Sequence, residues 1–98
     1  MIKIDLRKNT LNYEIIVKGH ALFDDYGKDI VCASVSTALI MSANLIEKFG
    51  IKADIESQEG YFKLNVINND VTKKIIENLE YTLKDLELQF PKNIKTNL

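Results

Sequence analysis

The side chains best suited to covalent chemistry in this 98-residue chain are its single histidine, His20, and its single cysteine, Cys32. A thiol attacks only as the thiolate; free thiols ionise near pH ~8.5, and a helix N-terminus or a neighbouring imidazolium favours the ionised form. An imidazole can take that proton and later return it to a leaving amine. Both residues lie in the stretch GHALFDDYGKDIVCASVS, Gly19 to Ser36, where an alternating segment stops and a long uncharged one starts. Asp29 stands three residues before Cys32, where its carboxylate can accept hydrogen bonds from the backbone N–H groups of a first helical turn. Cys32 then falls at the third helical position, near the positive end of the helix macrodipole, and first-turn N–H groups left over could also hold an oxyanion.

The flanking pattern supplies the elements that must position this pair. Ile2, Ile4 and Leu6 alternate with Lys3, Asp5 and Arg7, the period of two expected of a strand with one face buried. Lys8 to Asn12 closes a hairpin, and Tyr13, Ile15 and Val17 continue the alternation to Gly19, so His20 sits at or just past the end of the second strand. Periodicity disappears from Ala21 to Lys28, which reads as a loop able to move, tipped by Phe23 and Tyr26 and containing Gly27. Residues 30 to 49 contain neither proline nor glycine and form a helix stopped at Gly50. That helix is apolar on most sides and needs cover on most sides, from the fold or from a second subunit.

A second hairpin follows: Ile51, Ala53 and Ile55 alternate, a tight Gln58-Glu59-Gly60 connection intervenes, and Tyr61 to Ile67 returns. Asn69 or Asp70 caps an amphipathic helix with Val71, Ile75, Ile76, Leu79, Leu83, Leu86 and Phe90 on one side, ended by Pro91. Ile94 to Leu98 reads as a short edge strand or a loose tail. The order is ββαββα with a possible final β, an α+β fold in which two helices pack on a mainly antiparallel sheet, as one domain spanning residues 1–98.

Composition narrows the function classes. A formal net charge of −1 gives no footprint for nucleic acid. One cysteine excludes an internal disulfide, one histidine and one cysteine are too few for a structural metal site, and no cofactor motif is present. The longest uncharged run, Ile30 to Ile46, carries Ser34, Ser36, Thr37, Ser42 and Asn44, which suits a buried helix better than a membrane span. No secretory leader is recognisable, so the expected location is the reducing cytoplasm.

Residue types alone leave several readings open. A lone cysteine on an apolar helix serves more often as a small core residue than as a nucleophile, and a lone histidine is commonly a surface or capping residue. Ser36, one turn beyond Cys32, has the ordinary role of a hydroxyl bonded to the preceding turn. Gly19 suits a strand end where backbones approach closely. A non-enzymatic binding module with Cys32 merely packed remains an alternative, and a redox sensor lacks a resolving cysteine.

Gly19-His20-Ala21, then Gly27, then Asp29 to Ser36 (DIVCASVS) resembles the signature of Prp, the bacterial ribosomal-processing cysteine protease family, and the length and ββαββα order fit nearly the whole chain. The resemblance implies a catalytic dyad of His20 and Cys32, with Asp29 and Ser36 as further motif positions. It also implies a homodimeric cytoplasmic endopeptidase that removes an N-terminal extension from a large-subunit ribosomal protein. The segment between histidine and cysteine is then expected to order around the substrate.

Overall fold

The computed structural model describes residues 1–22, 24–25 and 29–98. Its elements are β1 (Ile2–Lys8), β2 (Asn12–Lys18), α1 (Ile30–Lys48), β3 (Ala53–Gln58), β4 (Tyr61–Ile67), α2 (Asp70–Gln89) and β5 (Ile94–Asn97). They form a five-stranded sheet in the order β3-β4-β2-β1-β5, antiparallel throughout except for the parallel pairing of β5 with β1. The two hairpins join through β2 and β4, with Ile15 opposite Leu64 and Val17 opposite Phe62.

Alternation decides which face is covered. Ile2, Ile4, Leu6, Tyr13, Ile15, Val17, Leu64 and Val66 all point to one side and are buried. Cross-strand neighbours such as Asp5, Arg7, Glu14, Lys63 and Asn65 occupy the other, polar side. Helix α2 lays Ile75, Ile76, Leu79 and Leu83 on the apolar face, and α1 adds Val31, Val35, Leu39, Ala43 and Ile46. Burying each of these large side chains contributes about 1.5–3 kcal/mol, so this single interior is the main source of stability.

The helices start where side-chain oxygens meet their first amides. Asn69, not Asp70, caps α2: its Oδ1 accepts from Val71 and Thr72, while the fully buried Thr72 hydroxyl oxygen accepts from the Asn69 N–H and donates to Ile67 O. Asp29 caps α1 in the same way. Strand β3 begins two residues later than the alternation from Ile51 suggests, because Ile51 still closes the end of α1 through its N–H to Ile46 O.

Residues 94 to 97 resolve as a strand and not a loose tail, held at the sheet edge by a carboxylate from α2. Glu87 accepts the Thr96 N–H and the Thr96 hydroxyl, both at 2.7 Å, and lies 3.6 Å from Lys84 Nζ. The backbone hydrogen bond from Thr96, then its hydroxyl, hold the Glu87 carboxyl below its ordinary value of 4.5. A carboxyl lowered in the folded state stabilises β5 above that ordinary value and loses the contribution as pH falls through the folded value. The Thr96 amide resonance is therefore expected to titrate with a midpoint below 4.5, with loss of β5 protection on the acid side. Glu87→Gln should remove the titration and cost at most about 1 kcal/mol, less than usual for hydrogen bonds to a charged group because solvent screens this carboxylate. A Thr96 signal indifferent to both changes would refute the latch.

Candidate active site

The cap of α1 fixes where the thiol sits. Asp29 has extended backbone angles, and its Oδ1 accepts from the N–H groups of Val31 and Cys32, each at 3.0 Å. Cys32 is thus the third helical residue, half-buried, with Val31 and Val35 on either side packed into the core. The Ala33 N–H is bonded to Asp29 O. The first-turn amides of Val31, Cys32 and Ala33 are therefore engaged in holding the helix start. A different amide faces the sulfur: the Ala21 N–H donates to Cys32 Sγ at 3.3 Å.

His20 reaches the same place from the sheet. Strand β2 ends at Lys18, and the Gly19 N–H continues the pairing with β4 by donating to Gly60 O at 2.9 Å. Gly19 has φ +95, and a Cβ there would run into the carbonyl oxygen of Met1, so only glycine fits between the start of β1 and the β3–β4 turn. His20 follows, exposed, with its ring against Gly60. Ala21 then turns inward, 2% exposed, and its carbonyl accepts from Asn93 Nδ2 at 2.8 Å. The Asn93 carbonyl in turn receives the Ile2 N–H.

His20 and Cys32 line one cleft of roughly 490 Å³. One wall is the outward side of the first turns of α1, with Ala33, Ser36 and Ile40; the floor is Ile2, Val17, Val35 and Leu39; the opposite wall is the β3–β4 turn from Ser57 to Phe62. Among the described residues no hydrogen bond joins the imidazole to the thiol, and the ring nitrogen Nε2 lies toward Gly60. The cleft is mainly apolar and brings a thiol and an imidazole to one surface.

Each sequence-derived site residue can be located except those in the loop. Gly19, His20, Asp29, Cys32 and Ser36 all line the cleft. Ser36 does not take the expected bond to the preceding turn; Ser34 and Ser42 do, to Ile30 O and Ala38 O, whereas Ser36 opens on the cleft. Phe23, Tyr26 and Gly27 lie outside the described residues. Two contributors were not visible as site residues. Gly60 read only as a hairpin glycine, and Asn93, far away in sequence, carried no local signal. Among the described residues no cluster of three His, Cys, Asp or Glu side chains could hold a metal ion.

Helix α1 presents a second feature next to the cleft. Its inner side is core, yet Ile30 (56%), Ile40 (56%), Met41 (70%) and Phe49 (59%) are exposed along its outer side. Length and mean hydropathy alone would let α1 cross a bilayer, but its inner side is packed on the sheet and α2.

The chain was compared with known proteins. A family model described as cysteine protease Prp matches residues 1–95. Ribosomal processing cysteine protease Prp of Staphylococcus aureus is 32% identical over 104 residues, covering 99% of this chain and 98% of that protein. The crystal structure of the S. aureus protease with a covalently linked product peptide superimposes with a TM-score of 0.90 at 32% identity, over 99% of this chain and 98% of that one. Its complex with a substrate peptide gives a TM-score of 0.84 at 29% identity and the same coverage.

The Asn93 bond has a measurable role, since it orients the peptide whose N–H meets the sulfur. Asn93→Ala should slow alkylation of Cys32 about tenfold, by freeing the Ala21 segment, while lowering stability by only about 1 kcal/mol for one lost part-buried hydrogen bond. Asn93→Asp restores an acceptor but not the donor and should not rescue. Alkylation at the wild-type rate in both variants would show that Ala21 is held by other means.

Proposed function

The chain belongs to the Prp family of cysteine proteases, and we propose that it is an endopeptidase whose nucleophile is Cys32 and whose base and acid is His20. Its substrate on this reading is a large-subunit ribosomal protein bearing an N-terminal extension, cut during ribosome assembly. The observation that carries the reading is the sharing of one cleft by His20 and Cys32, with the sulfur in the first turn of α1 and facing a main-chain N–H. The S. aureus relative, a ribosomal processing protease, has been crystallised with a substrate peptide and with a covalently linked product peptide, which supports peptide cleavage at the corresponding cleft.

The chemistry runs in two halves. His20 accepts the thiol proton, and the thiolate adds to the scissile carbonyl carbon. The carbonyl oxygen becomes an oxyanion, for which the Ala21 N–H, released from the sulfur, is the available donor. The C–N bond breaks as the imidazolium gives its proton to the leaving amine, and a thioester remains. Water, losing a proton to His20, then hydrolyses the thioester to a carboxylic acid and regenerates the thiol.

Supporting roles follow from position. Asp29 sets the helix start and so the height of the sulfur; Gly19 lets the chain pass Met1 and deliver His20; Ser36 faces the cleft one turn from Cys32 as a polar contact for the peptide. Phe23, Tyr26 and Gly27, which lie outside the described residues, stay as proposed substrate-contacting positions on the family resemblance. The apolar outer side of α1 fits a homodimer interface, and a reducing cytoplasmic setting fits a catalytic thiol.

Cys32→Ala should abolish cleavage of a peptide substrate with an unchanged fold, since the side chain is small and half-buried. Cys32→Ser should be nearly inactive. Iodoacetamide should alkylate the wild-type thiol well below pH 8, and His20→Ala should lose that reactivity; a thiol slow in both proteins returns Cys32 to a packing role. By sedimentation the protein should run at twice its 11.2 kDa mass and Met41→Glu should dissociate it. A dilution-independent single-chain mass in the wild type would rule the dimer out.

A further inference from the structure

We propose that Gly60 is a positioning residue for His20: its missing side chain gives the imidazole a seat on the β3–β4 turn, and that seat sets the orientation from which the ring serves Cys32. The catalytic consequence rests on the dyad reading above, whereas the contact itself does not.

Three observations converge on this glycine. A Cβ added to Gly60 would lie 2.9 Å from His20 Nε2, 3.4 Å from Cε1 and 3.6 Å from Cδ2, so the Nε2 side of the ring rests directly over the bare Cα. The Gly60 carbonyl accepts the Gly19 N–H at 2.9 Å, which ties the residue before the histidine to the same point. On its other side, Gly19 is wedged against Met1, so the main chain leading to His20 cannot drift. The imidazole retains its side-chain rotations, and Gly60 forms one wall of that freedom.

The turn is the stiffer partner. Gln58 pairs with Tyr61 directly across it, and Gly60 takes φ +71, a conformation other residues reach at a cost. A methyl group at this position would sooner displace the ring than move the turn. A displaced imidazole swings toward the thiol from a different starting point, and ångström-scale misplacement of this kind lowers turnover without removing substrate binding.

Gly50 provides the control. It has φ +75, close to that of Gly60, but nothing lies within 4 Å of a Cβ built on it. Gly60→Ala and Gly50→Ala therefore carry a similar backbone penalty and differ in the clash with His20. The expected result is a kcat on a peptide substrate about tenfold or more lower in Gly60→Ala, with KM nearly unchanged, and alkylation of Cys32 falling toward the His20→Ala rate. Gly50→Ala should leave both near wild type. The melting temperature supplies a readout independent of activity: Gly60→Ala should fall further than Gly50→Ala in the wild type, and the excess should vanish in a His20→Ala background.

Equal behaviour of the two glycine variants in activity, alkylation and melting would overturn the proposal. If Gly60→Ala fails to fold, recovery of folding with His20→Ala supports the seat, and continued failure there overturns it. If the melting cycle shows the His20-dependent excess while Cys32 reactivity in the wild type owes nothing to His20, the seat stands and the dyad reading falls.

Discussion

One carboxylate oxygen marks where the long helix begins. Asp29 Oδ1 takes the N–H groups of both Val31 and Cys32, and a cap of this kind contributes about 1 kcal/mol, favouring this start over its neighbours. A shift by one residue would rotate α1 by about 100°. Val31, Val35 and Ile46 would leave the interior, and Cys32 would leave the cleft. The placement of the thiol and the packing of the core are thus a single geometric fact, and the rest of the molecule is compatible with one register of α1 only.

The sheet end imposes the matching condition on the histidine. Strands β1, β2 and β4 terminate together, and Gly19 passes between the Met1 carbonyl and the Gly60 carbonyl in space that admits no side chain. The thiol and the imidazole come from two unrelated kinds of local order, a helix cap and a strand terminus. The Ala21 peptide bridges them, with its N–H on the sulfur and its carbonyl on Asn93. Each group is held by backbone geometry, so the residues that matter for orientation are mostly glycines, a cap and an amide, not further titratable side chains.

Much of this was legible beforehand, for physical reasons that differ by element. Alternation revealed β1, β2 and β4 because one face of each is buried and the other wet. Asp29 could be read as the cap because the last loop residue before an uncharged run has few other uses for a short carboxylate. Strand β3 was placed two residues too early, since Ile51 carries the alternating pattern but spends its amide on the end of α1. Which first-turn N–H groups Asp29 occupies could not be read beforehand, because a sequence gives the donors but not their acceptors. Gly60 and Asn93 escaped notice since their importance lies in what stands opposite them, information that only the fold contains. The Ser36 hydroxyl could not be told from Ser34 for the same reason: helical spacing lets either bond back, and only the position of the cleft distinguishes them.

The parallel pairing of β5 with β1 has a mechanical side. Ile2 is hydrogen-bonded to Asn93, and Asn93 is also the residue that holds the Ala21 peptide beside the sulfur. A disturbance of the β5 edge is therefore transmitted through Asn93 to the peptide that faces Cys32, and that end of the cleft is only as rigid as the outer strand beside it.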